Sequence, residues 1–312
     1  MELVFCGTPA FAVPTLDRLV EAKHRISLVV TQPDRPSGRG LEVAASAVKQ
    51  RALALGLPVA QPERIKTNDA FRSQLEALKP EAIIVVGYGH IVPRWMIDLP
   101  RHGNLNLHAS LLPKYRGAAP IQWAIANGES ATGVTTMCID EGLDTGDILL
   151  QEEVPIAPAD TALTLAPRLA EVGARLMVET LRQLDAGALT PRPQDHAQAT
   201  LAPLLKKEDG RIDFARTATE IHNRMRGFQP WPGVFATFRG KNLLLWSAQP
   251  LAGIAVPPAE IRLDKERLLL GCGGSTVLEI AELQPEGAKR MAARDFLHGY
   301  RPHDGERLGG PS

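Results

Sequence analysis

Asn104-Leu105-Asn106-Leu107-His108-Ala109-Ser110-Leu111-Leu112-Pro113-Lys114-Tyr115-Arg116-Gly117 is the most informative stretch of the chain. Gly103–His108 reads as a short strand that ends in a turn-rich segment. On a strand, residues two apart point to the same face, so Asn106 and His108 stand side by side. Short apolar runs alternate with helical patterns on both sides of it. Upstream are strands at Leu3–Cys6, Ile26–Thr31, Pro58–Ala60 and Ala82–Val86, with helices at about Phe11–Glu21, Ser46–Leu55 and Asp69–Leu78. Ala82–Val86 is a continuous run rich in β-branched residues, the mark of a strand buried on both faces. Downstream come a helix at Ala119–Asn127, a strand at Val134–Ile139, an extended arm at Asp147–Val154 and a long helix at Thr161–Ala186. This alternation predicts an α/β domain built on a mostly parallel sheet. In such sheets ligands bind outside the carboxyl ends of the strands, which is where Asn106 and His108 lie.

The composition changes after Gly187. Residues 189–205 carry Pro191, Pro193 and Pro203 among polar neighbours and read as a linker between a catalytic domain, 1–188, and a second domain, 206–312. The second domain opens with a helix near Thr217–Met225. Short strands follow at Val234–Phe238, Leu243–Ser247, Arg267–Leu270 and Thr276–Ala281, so a small β-barrel is expected. The 312 residues hold 35 basic and 35 acidic side chains, which argues against a strongly basic protein that coats nucleic acid. From Leu204 onward there are 16 basic and 13 acidic residues, so the small positive excess belongs to the second domain. No apolar run reaches the ~18 residues of a membrane span. Cys6, Cys138 and Cys272 are odd in number and lie in apolar surroundings, which suits free thiols in the cytoplasm. The histidines and cysteines show no metal-ligand spacing, so no metal is expected.

An amide beside an imidazole suits acyl transfer. The amide can donate to a developing oxyanion, and the imidazole can move protons or supply positive charge. The same pair would equally serve to tie a strand end to its loop. Asp140-Glu141-Gly142-Leu143-Asp144-Thr145-Gly146-Asp147 is either a plain acidic turn or a loop bringing one carboxylate to the edge of the sheet. It does not have the spacing of an EF-hand. Gly7-Thr8-Pro9 lacks the glycines of a dinucleotide fingerprint. Arg35 and Arg39, on the turn-rich segment Gln32–Gly40, suit phosphate contacts.

Taken together, these segments resemble the methionyl-tRNA formyltransferases, a branch of the folate-dependent formyltransferase family. The likeness is carried by Gly7-Thr8-Pro9, Gln32-Pro33-Asp34-Arg35-Pro36, Gly38-Arg39-Gly40, Asn106 with His108, Ser110-Leu111-Leu112-Pro113, Arg116-Gly117-Ala118-Ala119-Pro120 and Gly142-Leu143-Asp144-Thr145-Gly146. Arg211-Ile212-Asp213 and Pro230-Trp231-Pro232-Gly233 extend it into the second domain. The resemblance implies a Rossmann-like formyltransferase domain followed by an OB-like barrel that binds tRNA. The reaction it implies moves a formyl group from 10-formyltetrahydrofolate to the α-amino group of methionine on initiator tRNA. Asn106 and His108 would stabilise the oxyanion, and Asp144 would pair with His108 and help remove the amine proton. Ser110, Leu111, Leu112 and Pro113 would line the folate pocket. Arg39 and Arg35 would meet the acceptor arm from a loop expected to order on the tRNA, and the chain would act as a monomer. After Gly40 the sequence Leu41–Ser46 departs from the lysines and prolines common in the family. Two other readings compete: a formyltransferase acting on a sugar nucleotide or small amine, and a non-catalytic tRNA-binding protein on the same core.

Overall fold

The computed structural model describes residues 1–37 and 42–309, without the side chains of 36, 37, 42 and 43. Two compact units emerge. The first comprises Met1–Pro120, Ala131–Pro155 and Ala166–Pro203; the second comprises Ile121–Ser130, Ile156–Leu165 and Leu204–Ser312.

The strands of the first unit are β1 (Glu2–Gly7), β2 (Arg25–Val30), β3 (Arg35–Ser37), β4 (Glu42–Ala44), β5 (Val59–Ala60), β6 (Ala82–Val86), β7 (Asn104–His108), β8 (Ala131–Cys138) and β9 (Ile148–Pro155). Seven of them form one sheet in the order β5-β2-β1-β6-β7-β8-β9, and β3 pairs antiparallel with β4 as a separate two-stranded sheet. From β5 to β7 every pairing is parallel, while β8 and β9 add an antiparallel edge. This is the mostly parallel sheet expected from the alternating pattern. All five residues of β6 are buried, as its unbroken apolar run requires. The strand order reverses between β1 and β6, the kind of switch point at which open α/β sheets bind ligands.

The helices up to this point in the chain are α1 (Val13–Glu21), α2 (Ala47–Ala54), α3 (Asp69–Leu78), α4 (Arg94–Ile97), α5 (Pro120–Ala126), which falls in the second unit beyond Pro120, and α6 (Ala162–Asp185), which falls in the first unit from Ala166. Local chemistry sets several of their ends. Ser46 caps α2 by accepting from the Lys49 N–H, and Asn68 caps α3 by accepting from the Phe71 N–H.

In the second unit, α7 (Ala218–Gly227) starts at a capping box in which Thr217 and Glu220 satisfy each other's backbone N–H groups. Then come β10 (Val234–Phe238), β11 (Lys241–Leu251), β12 (Ile261–Asp264), β13 (Arg267–Cys272), β14 (Thr276–Pro285), β15 (Met291–Ala292) and α8 (Ala293–Tyr300). The strands make a six-stranded antiparallel sheet, ordered β10-β11-β14-β13-β12 with β15 on β14, in a small barrel-like unit. The two early segments of the chain are structural parts of this unit. Trp123 meets Phe228 edge-on, with ring centroids 5.3 Å apart. Gly227 approaches so closely that a Cβ there would stand 2.5 Å from the Gln122 carbonyl oxygen. Arg226 donates to the Asp160 carbonyl oxygen at 2.9 Å.

The proline-bearing stretch after Gly187 also behaves differently from a free linker. Arg192 exchanges two backbone hydrogen bonds with Ile148, and Arg116 exchanges two more with Thr200 and Ala202. Proline removes an N–H donor but leaves carbonyls and neighbouring side chains able to bond, so a proline-rich composition does not prevent a strap from lying across the sheet.

Candidate active site

β7 brings Asn104, Asn106 and His108 to one face. Asn104 is structural: its amide donates to the Met96 carbonyl oxygen at 2.7 Å and to that of Ile97 at 3.1 Å. His108 is buried at the carboxyl end of the strand. Its Nε2 lies 2.9 Å from the Tyr115 carbonyl oxygen. A carbonyl only accepts, so this nitrogen carries the hydrogen and Nδ1 is the atom that faces Asp144, 3.6 Å from Oδ2. A proton on Nδ1 would lie directly against the carboxylate.

Asp144 is held by its backbone and by its carboxylate. Its φ of 51° is left-handed, unusual for a residue with a side chain. Its Oδ2 accepts from the Gly117 N–H at 2.8 Å, so the oxygen facing the imidazole is also fixed by the loop after β7. The other acids of this turn have different tasks. Asp140 accepts from the Gly142 N–H at 3.0 Å and the Thr145 hydroxyl at 2.7 Å, closing the turn on itself. Glu141 faces Arg94 at 3.7 Å in an exposed ion pair. The structure thus joins His108 to Asp144, and the half-buried Asn106 carboxamide makes no side-chain hydrogen bond among the described residues.

Ser110-Leu111-Leu112-Pro113 begins two residues after His108. The Ser110 side chain is fully buried, and its hydroxyl donates to the Lys114 carbonyl oxygen at 2.6 Å. Leu112 packs against Met137 and Ile148. Thr135 donates to the Ser110 carbonyl oxygen at 2.6 Å and accepts from the Leu112 N–H at 3.2 Å. Gln151 donates to the Leu112 carbonyl oxygen at 2.9 Å. The side chains of Ser110 and Leu112 are thus committed to the interior, while Leu111 and Pro113 remain partly exposed.

A groove of about 630 Å³ opens at the carboxyl ends of β1, β2 and β6, lined in part by Thr8, Gln32, Arg35, Ser46, Tyr88 and His90. Its loops are laced together. Thr8 donates to the Tyr88 carbonyl oxygen at 3.1 Å, and Gln32 donates to the same oxygen at 3.2 Å. Asp34 receives Lys49 and the Gln61 amide, which hold its carboxyl below the usual range, Lys49 contributing most. Because that pKa is lowered on folding, the tie is complete at neutral pH and is lost as pH falls through the folded value. Arg35 is exposed beside Gln32, whereas Arg39 lies outside the described residues.

Tyr88 and His90 had no signal in the sequence. Their rings meet edge to face at 5.3 Å, and the Tyr88 hydroxyl and His90 Nε2 are buried without a hydrogen-bond partner among the described residues. Burial pushes the Tyr88 phenol well above its ordinary pKa, with a smaller contribution from Cys6. The phenol is therefore neutral at physiological pH, a donor still in want of an acceptor.

A mostly parallel sheet that carries an Asn, a His and an Asp at its carboxyl edge suits acyl transfer. The chain belongs to the formyl transferase family: residues 1–181 match the formyl transferase domain and residues 204–301 the formyl transferase C-terminal domain. It is 63% identical over 309 residues to the methionyl-tRNA formyltransferase of Koribacter versatilis, covering 99% of each chain. A solved N-formyltransferase from Helicobacter canadensis, in complex with folinic acid and dTDP-3-aminofucose, shares the fold with a TM-score of 0.66 at 19% identity, over 91% of this chain and 98% of that one. HypX from Aquifex aeolicus, in complex with tetrahydrofolic acid, aligns with a TM-score of 0.63 at 18% identity, over 98% of this chain. The match spans 48% of that longer protein.

Proposed function

We propose that this chain transfers the formyl group of 10-formyltetrahydrofolate to the α-amino group of methionine on initiator tRNA, and that Asn106, His108 and Asp144 carry the step. The near-full-length likeness to a methionyl-tRNA formyltransferase supports the acceptor. The observation that carries the chemistry is the contact between His108 Nδ1 and Asp144 Oδ2 beside an uncommitted Asn106 amide.

The α-amine attacks the formyl carbon, a C–N bond forms, and the carbonyl π electrons move to oxygen. The Asn106 N–H is free to donate to that oxyanion. His108, whose Nε2–H is engaged by the Tyr115 carbonyl oxygen, offers the lone pair of Nδ1 as proton acceptor, and Asp144 balances the charge that forms there. The amine gives up its proton toward the His108–Asp144 pair. Collapse of the intermediate breaks the bond from the formyl carbon to N10 of the folate, and the proton taken from the amine passes from the His108–Asp144 pair to that nitrogen, which leaves as tetrahydrofolate. Leu111 and Pro113, the exposed members of their segment, are the side chains placed to meet the folate, while Ser110 and Leu112 hold the loop's shape. Arg39 and Arg35 would contact the acceptor arm. The chain acts in the cytoplasm as a monomer, with the catalytic domain drawn from 1–188, less the two segments that join the second unit, and with 206–312 as the main part of the tRNA platform.

Acceptor choice is the property to test. With 10-formyltetrahydrofolate in excess, charged initiator tRNA is expected to be formylated while a nucleotide-linked amino sugar is not. Arg39→Ala is expected to lower kcat/KM for the tRNA about 10- to 100-fold, the loss typical of a charge-assisted contact, and to leave folate KM unchanged. Arg39→Lys should recover only part, because an ammonium cannot reproduce the paired donors. Efficient formylation of the amino sugar would refute this acceptor assignment, and wild-type kinetics in Arg39→Ala at moderate salt would show that the tRNA is held elsewhere.

A further inference from the structure

We propose that Gln194, in the strap that crosses the sheet, is a positioning residue for Asp144. The proposal rests on the role given to Asp144 above and extends it to a residue that touches no reacting group. Gln194 is only 6% exposed, and its amide is fully used. Oε1 accepts from Arg116 Nε at 3.1 Å and Nη2 at 2.6 Å. Nε2 donates to the Asp144 carbonyl oxygen at 2.9 Å and to the Gly146 carbonyl oxygen at 2.7 Å. Guanidinium only donates and backbone carbonyls only accept, so the amide has one orientation.

These bonds close a ring around the carboxylate. Arg116 precedes Gly117, whose N–H holds Asp144 Oδ2. Gln194 therefore references both ends of Asp144 to one clamp, the main chain directly and the carboxylate through Arg116 and Gly117. Asp144 lies in the left-handed region with a φ of 51°, which few residues with a side chain adopt, and the two donors of Gln194 tie the turn on either side of it. Gly146 lets the turn close against the end of β8, since a Cβ there would be driven into the Cys138 carbonyl oxygen. Without the two donors of Gln194 the turn is free to relax, and the carboxylate swings away from His108 Nδ1.

Gln194→Glu separates positioning from scaffolding. The carboxylate keeps the tie to Arg116 but cannot donate to the two carbonyls. Steady-state kinetics of the full chain with charged initiator tRNA and 10-formyltetrahydrofolate should show kcat lowered by on the order of 10- to 100-fold, the scale of an ångström-sized misplacement, with both KM values within about two-fold of wild type. Gln194→Met, isosteric but without the amide, should match it. In an Asp144→Ala background either change should move kcat by less than about two-fold, because groups that act as a unit are not additive. Undiminished kcat, a rise confined to KM, or a full further loss on top of Asp144→Ala would overturn the proposal. If neither Gln194 variant folds, Gln194 is a structural residue and the proposal is wrong. An active Asp144→Ala enzyme would remove the reading of the site, and the proposal with it, whereas a crippled Asp144→Ala beside a silent Gln194→Glu refutes the proposal alone.

Discussion

Asn106→Ala is expected to lower kcat by on the order of 10²- to 10³-fold, the usual loss of a preorganised oxyanion donor. The folate KM should move by less than about two-fold, since the interaction forms mainly in the transition state. Asn106 is suited to this role because its neighbours on the face of β7 are already engaged. Asn104 is spent on the Met96 and Ile97 carbonyls and His108 on Tyr115 and Asp144, which leaves one carboxamide for the substrate. Steady-state kinetics with varied folate would check it. Weakened folate binding at constant kcat would instead make Asn106 a binding residue.

The second large effect falls on a residue with no side chain. Gly117 has a φ of +118°, and a Cβ there would lie 2.7 Å from the Ala202 carbonyl oxygen. Gly117→Ala must shift the backbone that donates to Asp144 Oδ2 and parts from the strap at Ala202. Backbone strain of this kind costs about 1–3 kcal/mol, so a lowered Tm is expected. The kcat loss should reach on the order of 10²-fold, because a small misplacement at an active site is enough. Thermal melts paired with kinetics would separate the two. A destabilised enzyme with undiminished kcat would mean that the Gly117 N–H does not orient the carboxylate.

Periodicity and local signals made much of the first unit legible. The helix Asp69–Leu78 stands between Asn68, which caps it, and Pro80 just beyond its end; the strand Ala82–Val86 is one apolar run. β12 and α8 escaped notice for physical reasons. β12 is four residues long and carries Arg262 and Asp264, while α8 follows Ala292, which offers no side-chain cap. At the site, spacing alone placed Asn106 beside His108. It left open which acid of the turn serves them, because Asp144 is singled out only by its long-range bond to Gly117, while Glu141 faces Arg94 and Asp140 closes the turn. The family resemblance singled out Asp144 where composition did not. Gln194 was invisible from local pattern, since a lone amide among prolines acquires its meaning only where the chain returns to Arg116 and Gly146.

Transfer of labelled formyl from 10-formyltetrahydrofolate onto charged initiator tRNA tests the central claim most directly, with wild type compared against the combined Asn106→Ala, His108→Ala and Asp144→Ala variant and with charged elongator tRNA run alongside. Label is expected on the methionyl α-amine of the initiator tRNA with wild type, in one-to-one yield with tetrahydrofolate, and at background with a folded triple variant. Label that remains on the folate with wild type, or that reaches the tRNA at wild-type rate with the triple variant, would contradict it.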